Sequence, residues 1–149
     1  MTLEEKLSAD LKDAMRSGDE TRKLAIRSVK TAITEAKVSG TEARVLTDQD
    51  VLAIIAKQIK QRRDSAAEFA KGGRIDLVAK EEAEIAVLQP YLPEQLDDEA
   101  IRQRAEAVIA ELGVTDLKGM GPVMKRLSAE LRGRADGQAV NRIVRELLS

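Results

Sequence analysis

Residues 89–98 read QPYLPEQLDD, and this stretch divides the chain. Pro90 and Pro93 stand three positions apart, with the acidic pair Asp97-Asp98 close behind. Proline fixes its own φ, lacks an N–H and disfavours helical geometry in the residue before it. The stretch therefore reads as a stiff connector: a helical part ends at Gln89 before it, and another starts from an Asp97 cap after it. The boundaries drawn from it are an N-terminal helical domain over residues 1–92 and a C-terminal one over 97–149.

Toward the C terminus, a helix is expected from Asp97 to Leu112, closed by Gly113. GMGPVMKRLSAELRG reads as a second helix with Pro122 inside its first turn. Asp136 caps a third, whose buried face is Val140, Ile143, Val144 and Leu147, so this part is expected to be a three-helix bundle. Toward the N terminus, residues 75–89 form a helix that Pro90 ends. Before it, a helix from Thr47 or Asp48 to about Lys71 turns Leu52, Ile55, Ile59, Ala66 and Phe69 inward and stops at Gly72-Gly73. Asp19 caps a helix to about Ser39, striped by Ile26, Val29, Ile33 and Ala36 and halted by Gly40. The first helix, residues 2–17, opens with Thr2 and Glu5 spaced as a capping box, repeats Leu3, Leu7, Leu11, Ala14 and Met15 at helical intervals, and ends at Gly18. No run alternates long enough for a strand, and Val45-Leu46 is too short. The expectation is all-α: about four N-terminal helices, a proline-containing connector and a C-terminal three-helix bundle.

Composition agrees. The chain has 149 residues, 43% of them hydrophobic, but Phe69 and Tyr91 are its only aromatics, so packing relies on Leu, Ile, Val, Ala and Met. That palette suits helix-on-helix contact better than sheets. Cysteine and histidine are absent, which removes disulfides, thiolate chemistry, imidazole bases and zinc sites built on nitrogen or sulfur. The start MTLEEKLSAD shows no basic flank before an apolar run, and no segment approaches the ~20 apolar residues of a membrane span. A cytoplasmic protein with no membrane partner is expected.

The net charge is -1, but the charges are segregated. Residues 118–149 set Lys118, Lys125, Arg126, Arg132, Arg134, Arg142 and Arg145 against Glu130, Asp136 and Glu146. Residues 57–74 set six cations against two carboxylates, and residues 76–99 set Lys80 alone against eight carboxylates. On the second helix Lys23, Arg27, Lys30 and Lys37 recur at helical spacing opposite the apolar stripe. Basic faces of this kind bind phosphate backbones through counterion release, whereas base stacking needs aromatics that are scarce here. The bland alternative is a solvated face.

Other motifs are weaker. Glu81 and Glu84 share a helix face and could serve as an acid-base or oxygen-only magnesium pair, though nothing beside them supplies a nucleophile or phosphate loop. KGMGPVM lacks the leading strand and lysine placement of a phosphate loop; its glycines read as a tight entry into a helix whose amide end is open to an anion. Arg62 falls near the apolar stripe of the third helix, between Ile59 and Ala66. It is expected to snorkel or to pair across helices and pin them together. No catalytic residue, metal ligand or cofactor is assigned.

KQRRDSAAEF (60–69), GRIDL (73–77), YLPEQL (91–96), MGPVM (120–124) and GRADGQAVNRIV (133–144), in this order, resemble the YqeY family across nearly the whole chain. The last third also resembles the helical C-terminal tail of GatB, a subunit of the glutamine-dependent amidotransferase that amidates misacylated tRNA. The tail pattern falls on Gly121, Met124, Lys125, Gly133, Ala135, Val140 and Ile143. The chain departs from it at Gly119, where an acidic residue is common, and at Pro122, where a lysine is common. The resemblance implies a non-catalytic protein that binds tRNA or associates with amidotransferase or synthetase proteins. The candidate tRNA contacts are the cations of the tail segment, Lys118, Lys125, Arg126, Arg132, Arg134, Arg142 and Arg145, with Lys23, Arg27 and Lys30 from the basic stripe of the second helix. Two alternatives stand beside it. One is a family-level carbon-nitrogen ligase with glutamine as nitrogen donor, working only with other subunits; the other is a protein-protein adaptor.

Overall fold

Seven α-helices and two short 3-10 turns make up the computed structural model of the chain, which describes residues 1–149 and contains no strand. The helices are α1 (Leu3–Ser17), α2 (Glu20–Lys37), α3 (Asp48–Lys71), α4 (Ile75–Leu88), α5 (Asp98–Leu112), α6 (Met120–Glu130) and α7 (Gly137–Leu148). Residues 1–92, with α1 to α4, form one compact unit, and residues 93–149, with α5 to α7, form another.

Local chemistry sets the helix ends. The hydroxyl of Thr2 accepts from the Glu5 N–H, Asp19 from Arg22, Asp97 from Ala100 and Asp136 from Gln138. At α3 the capping box is complete: Thr47 accepts from the Asp50 N–H while the Asp50 carboxylate accepts from the Thr47 N–H. Each cap satisfies an amide that the helix leaves without an internal partner. Gly18 and Gly113 close α1 and α5 in the left-handed region, at φ 72° and 67°.

Two ends and one buried face differ from expectation. Helix α2 stops at Lys37, ahead of Gly40, because the Ser39 hydroxyl and the Val38 N–H take the Ala36 and Glu35 carbonyls (3.0 and 3.3 Å). Pro90 does not end the helical path at Gln89: Gln89 keeps helical angles (φ −53°, ψ −42°) and the chain tightens into a 3-10 turn through Tyr91. A proline in the first turn of a new helical segment forfeits no internal bond, so it fits there. In α3 the fully buried apolar residues are Val51, Ile55 and Ile59, with Leu52, Ala66 and Phe69 only half-buried.

Each unit has its own core. In residues 1–92 it is built on Leu7, Ile26, Val29, Ile33, Ile55 and Leu88, with α2 touching α1, α3 and α4. In residues 93–149 it is built on Ile101, Val108, Val123, Leu127, Ile143 and Val144, and α5, α6 and α7 all touch one another. Burying a Leu, Ile or Val contributes roughly 1.5–3 kcal/mol. Leu148, rather than Leu147, completes the buried face of α7.

Candidate nucleic-acid interface

The cations of residues 118–149 divide into two groups. Arg126 and Arg142 are engaged. Arg126 pairs with Glu111 and with Glu130 (3.5 Å), and Arg142 pairs with Asp98 (2.9 Å) and Glu146 (3.5 Å). Arg104 to Glu130 (2.6 Å) and Arg102 to Glu146 (2.9 Å) extend these into two ladders across α5, α6 and α7. The hydrogen bond from Arg104 is the main reason the exposed Glu130 carboxyl lies below its ordinary range. Exposed pairs of this kind are worth about 0–1 kcal/mol each.

Lys118, Lys125, Arg132, Arg134 and Arg145 have no carboxylate within 4 Å, and all five are exposed. Arg132 and Arg134 flank Gly133, whose φ of 78° is the left-handed geometry that glycine adopts without strain. Buried Leu131 anchors the loop between α6 and α7 on the core. The Leu96 N–H donates to the Arg134 carbonyl (2.8 Å), the Gln95 amide to the Gly133 carbonyl (2.7 Å), and the Arg134 and Ala135 N–H groups to Leu131. The backbone is fixed while the two guanidinium groups are left to solvent, a preorganised cationic pair. Of the other residues that match the tail pattern, Val140 and Ile143 are buried and Met124 and Ala135 pack against the same core.

The α2 cations are placed differently. Lys30 is half-buried and donates to the Ser8 hydroxyl (2.5 Å), Lys37 pairs with Glu4, and Lys23 pairs with Glu20 (3.3 Å). Positions 30 and 37, spaced by two turns, face α1, so the stripe is largely spent on a helix seam. Arg27 alone of the four is exposed with no carboxylate within 4 Å.

Arg62 does pair across helices. One of its terminal nitrogens donates to Glu84 (2.5 Å) and lies 3.7 Å from Glu81; the other donates to Ser28 (2.7 Å). The Ser28 hydroxyl oxygen lies 2.8 Å from both the Ala25 carbonyl and the Gln58 side-chain oxygen, so its single proton serves one of the two at a time. The guanidinium therefore ties α3 to α4 and α2, and Glu84 is the chain's buried charged residue at 5% exposure. Glu81 and Glu84, considered above as an acid-base or metal pair, face this guanidinium. Nothing local in the sequence pointed to Ser28, which Arg62 meets across 34 positions and Gln58 across 30.

At the start of α6 no side chain caps the helix, and Gly119 has a packing reason to be glycine: a Cβ there would lie 2.3 Å from a methyl of Val114. Tyr91, unassigned from sequence, donates to Asp10, which also receives Arg22 (3.6 Å) and Lys6 (3.4 Å). Burial first, and that hydrogen bond second, push the phenol above its ordinary value.

Similar proteins place the chain. A protein named Altered inheritance of mitochondria protein 41, mitochondrial, from Pyrenophora tritici-repentis is 36% identical over 151 residues, spanning 96% of this chain and 79% of its own length. Proteins of the same name from Kluyveromyces lactis and Saccharomyces cerevisiae are 39% and 33% identical, spanning 78% and 72% of this chain. The chain spans 60% of the length of each of these two yeast relatives. The mitochondrial names overturn the cytoplasmic expectation: the lack of a basic flank before an apolar run and of a long apolar run does not assign a compartment. No helix is long and apolar enough to cross a membrane. The family model described as Yqey-like protein matches residues 4–148, and the chain therefore belongs to that family.

Proposed function

We propose that this chain is a non-catalytic RNA-binding protein, with tRNA as the RNA and association with tRNA-amidating proteins as its setting. The observation that carries the reading is the loop and helix surface of residues 118–149, where Lys118, Lys125, Arg132, Arg134 and Arg145 are exposed without carboxylate partners. A polyanion meeting such a surface releases counterions without first breaking ion pairs. The resemblance of this segment to the GatB tail favours tRNA among polyanions. The C-terminal part, read as a three-helix bundle, is the binding module of this proposal. Recognition is of the phosphate backbone, since Tyr91 is engaged with Asp10 and Phe69 is half-buried, which leaves no aromatic platform for bases. The setting carried over from the names of the relatives is mitochondrial.

Fluorescence titration of labelled tRNA at several salt concentrations tests the proposal. Binding should weaken steeply with salt, and replacing Lys125, Arg132 and Arg134 by glutamine should flatten the log–log slope by roughly 2–3, at about 0.7–0.9 per lost phosphate contact. Unchanged far-ultraviolet circular dichroism would show that the fold is intact. Absence of binding at low salt, or an unaltered slope in the triple variant, would sink the reading.

A further inference from the structure

A concavity lies within residues 1–92. It is a cleft of about 570 Å³ between α1, Lys30 of α2 and the segment that leads into α3, a size within the ordinary range for small-ligand sites. Leu46 and Val51 form its apolar side, and Val45, 93% exposed, stands at its edge. Its polar lining has both signs: Lys12 and Lys30 against Glu5 and Asp48, with Glu4 already neutralised by Lys37.

These four groups share one cleft without pairing. Neither lysine has a carboxylate within 4 Å; Lys30 is bonded only to the neutral Ser8 hydroxyl, and one Asp48 oxygen accepts the Leu3 N–H (3.0 Å). Glu5 and Lys12 are two turns apart on α1, ~10.5 Å along its axis at 1.5 Å per residue. A molecule carrying an ammonium and a carboxylate on one carbon, with a charge-assisted hydrogen bond of ~2.8 Å at either end, spans such a gap once the side chains reach inward.

From this charge arrangement we infer that the cleft binds a free α-amino acid with an aliphatic side chain. The ligand carboxylate meets Lys12 and Lys30, its ammonium meets Glu5 and Asp48, and its side chain covers Val45 and Leu46. The inference does not rest on RNA binding and survives its failure.

L-leucine titrated into the full-length ¹⁵N-labelled chain is the test. Saturable amide shifts should centre on Ser8, Lys12, Val45 and Leu46. Leucinamide, which lacks the carboxylate, and N-acetyl-leucine, which lacks the ammonium, should each bind at least ~10-fold more weakly, the lower end of what a charged hydrogen bond contributes. Glycine should also bind more weakly for want of an aliphatic side chain. Both Lys12 and Glu5 are exposed, so substituting them leaves the core untouched. In Lys12→Met the advantage of leucine over leucinamide should shrink, and in Glu5→Gln its advantage over N-acetyl-leucine should shrink. The inference is overturned if leucine gives no saturable shifts at tens of millimolar, if the shifts map elsewhere, or if the amide and the acetylated form bind as well as leucine.

Discussion

At Gly119 the backbone sits at φ −89°, where any residue is comfortable, yet a Cβ would meet Val114 at 2.3 Å. Val114 is β-branched and stiff, so it cannot swing aside cheaply. Gly119→Ala should therefore cost about 1–3 kcal/mol by overpacking, and Val114→Ala in the same chain should recover part of that loss. Chemical denaturation of the two single variants and the double variant measures the coupling; additive losses would show that the contact is not the cause. Arg62 offers the opposite kind of sensitivity. Arg62→Ala strands Glu84, 5% exposed, and should cost about 3–5 kcal/mol, whereas the joint change Arg62→Leu, Glu84→Leu removes both charges and should cost much less. Equal losses in the single and the joint variant would mean that the charges do not matter to each other.

Among the elements, the N-caps of α1, α3, α5 and α7 and the glycine stops of α1, α3 and α5 were legible because each depends on residues within three or four positions, although the box expected at Thr2 and Glu5 forms only its Thr2 half and the complete one stands at Thr47 and Asp50. The end of α2 was misplaced for a local reason too: Ser39 competes for the Ala36 carbonyl before Gly40 is reached. What could not be read was pairing at a distance. Spacing put Lys23, Lys30 and Lys37 on one face of α2, but whether that face met solvent or α1 depended on Ser8 and Glu4, some 22 and 33 positions away. Charge counting likewise found the tail cations without telling free Arg134 from Arg142, which is held by Asp98 across 44 positions. The 3-10 turn that opens the connector has a measurable signature of its own. Tyr91 is the only tyrosine and there is no tryptophan, so ultraviolet titration of the phenol reports this one site. The folded phenol titrates above the unfolded value of ~10, so the folded chain keeps its proton where the unfolded chain has lost it. That contribution to stability is complete below pH ~10 and is lost as pH rises above it. Replacing Asp10 by alanine should bring the titration back toward the ordinary value; a phenol that already titrates normally in the unmodified chain would refute the contact.

On the scale of the whole molecule, the two cores share no residue: Leu7, Ile26 and Ile55 belong to one, Ile101, Leu127 and Ile143 to the other. Stability should then not be a single number for the chain, because two-state behaviour is expected of single domains and not of two with separate cores. The smaller unit, residues 93–149, is the more vulnerable, since a domain of ~60 residues buries only about 60% of its unfolded surface. Its ion ladders across α5, α6 and α7 are exposed and add little. The expected outcome is that residues 93–149 expressed alone melt cooperatively but at marginal stability. Ile143→Ala, which removes a fully buried side chain at a cost of about 2–5 kcal/mol, should leave that fragment largely unfolded at 25 °C. In the full chain the same substitution should lower one calorimetric transition and leave the transition of residues 1–92 in place. A single transition that moves as a whole would show that the two cores unfold together. The fragment also separates the two binding surfaces: it carries Lys118, Lys125, Arg132, Arg134 and Arg145 but none of the α1 cleft, so it should keep salt-dependent RNA affinity and show no response to leucine.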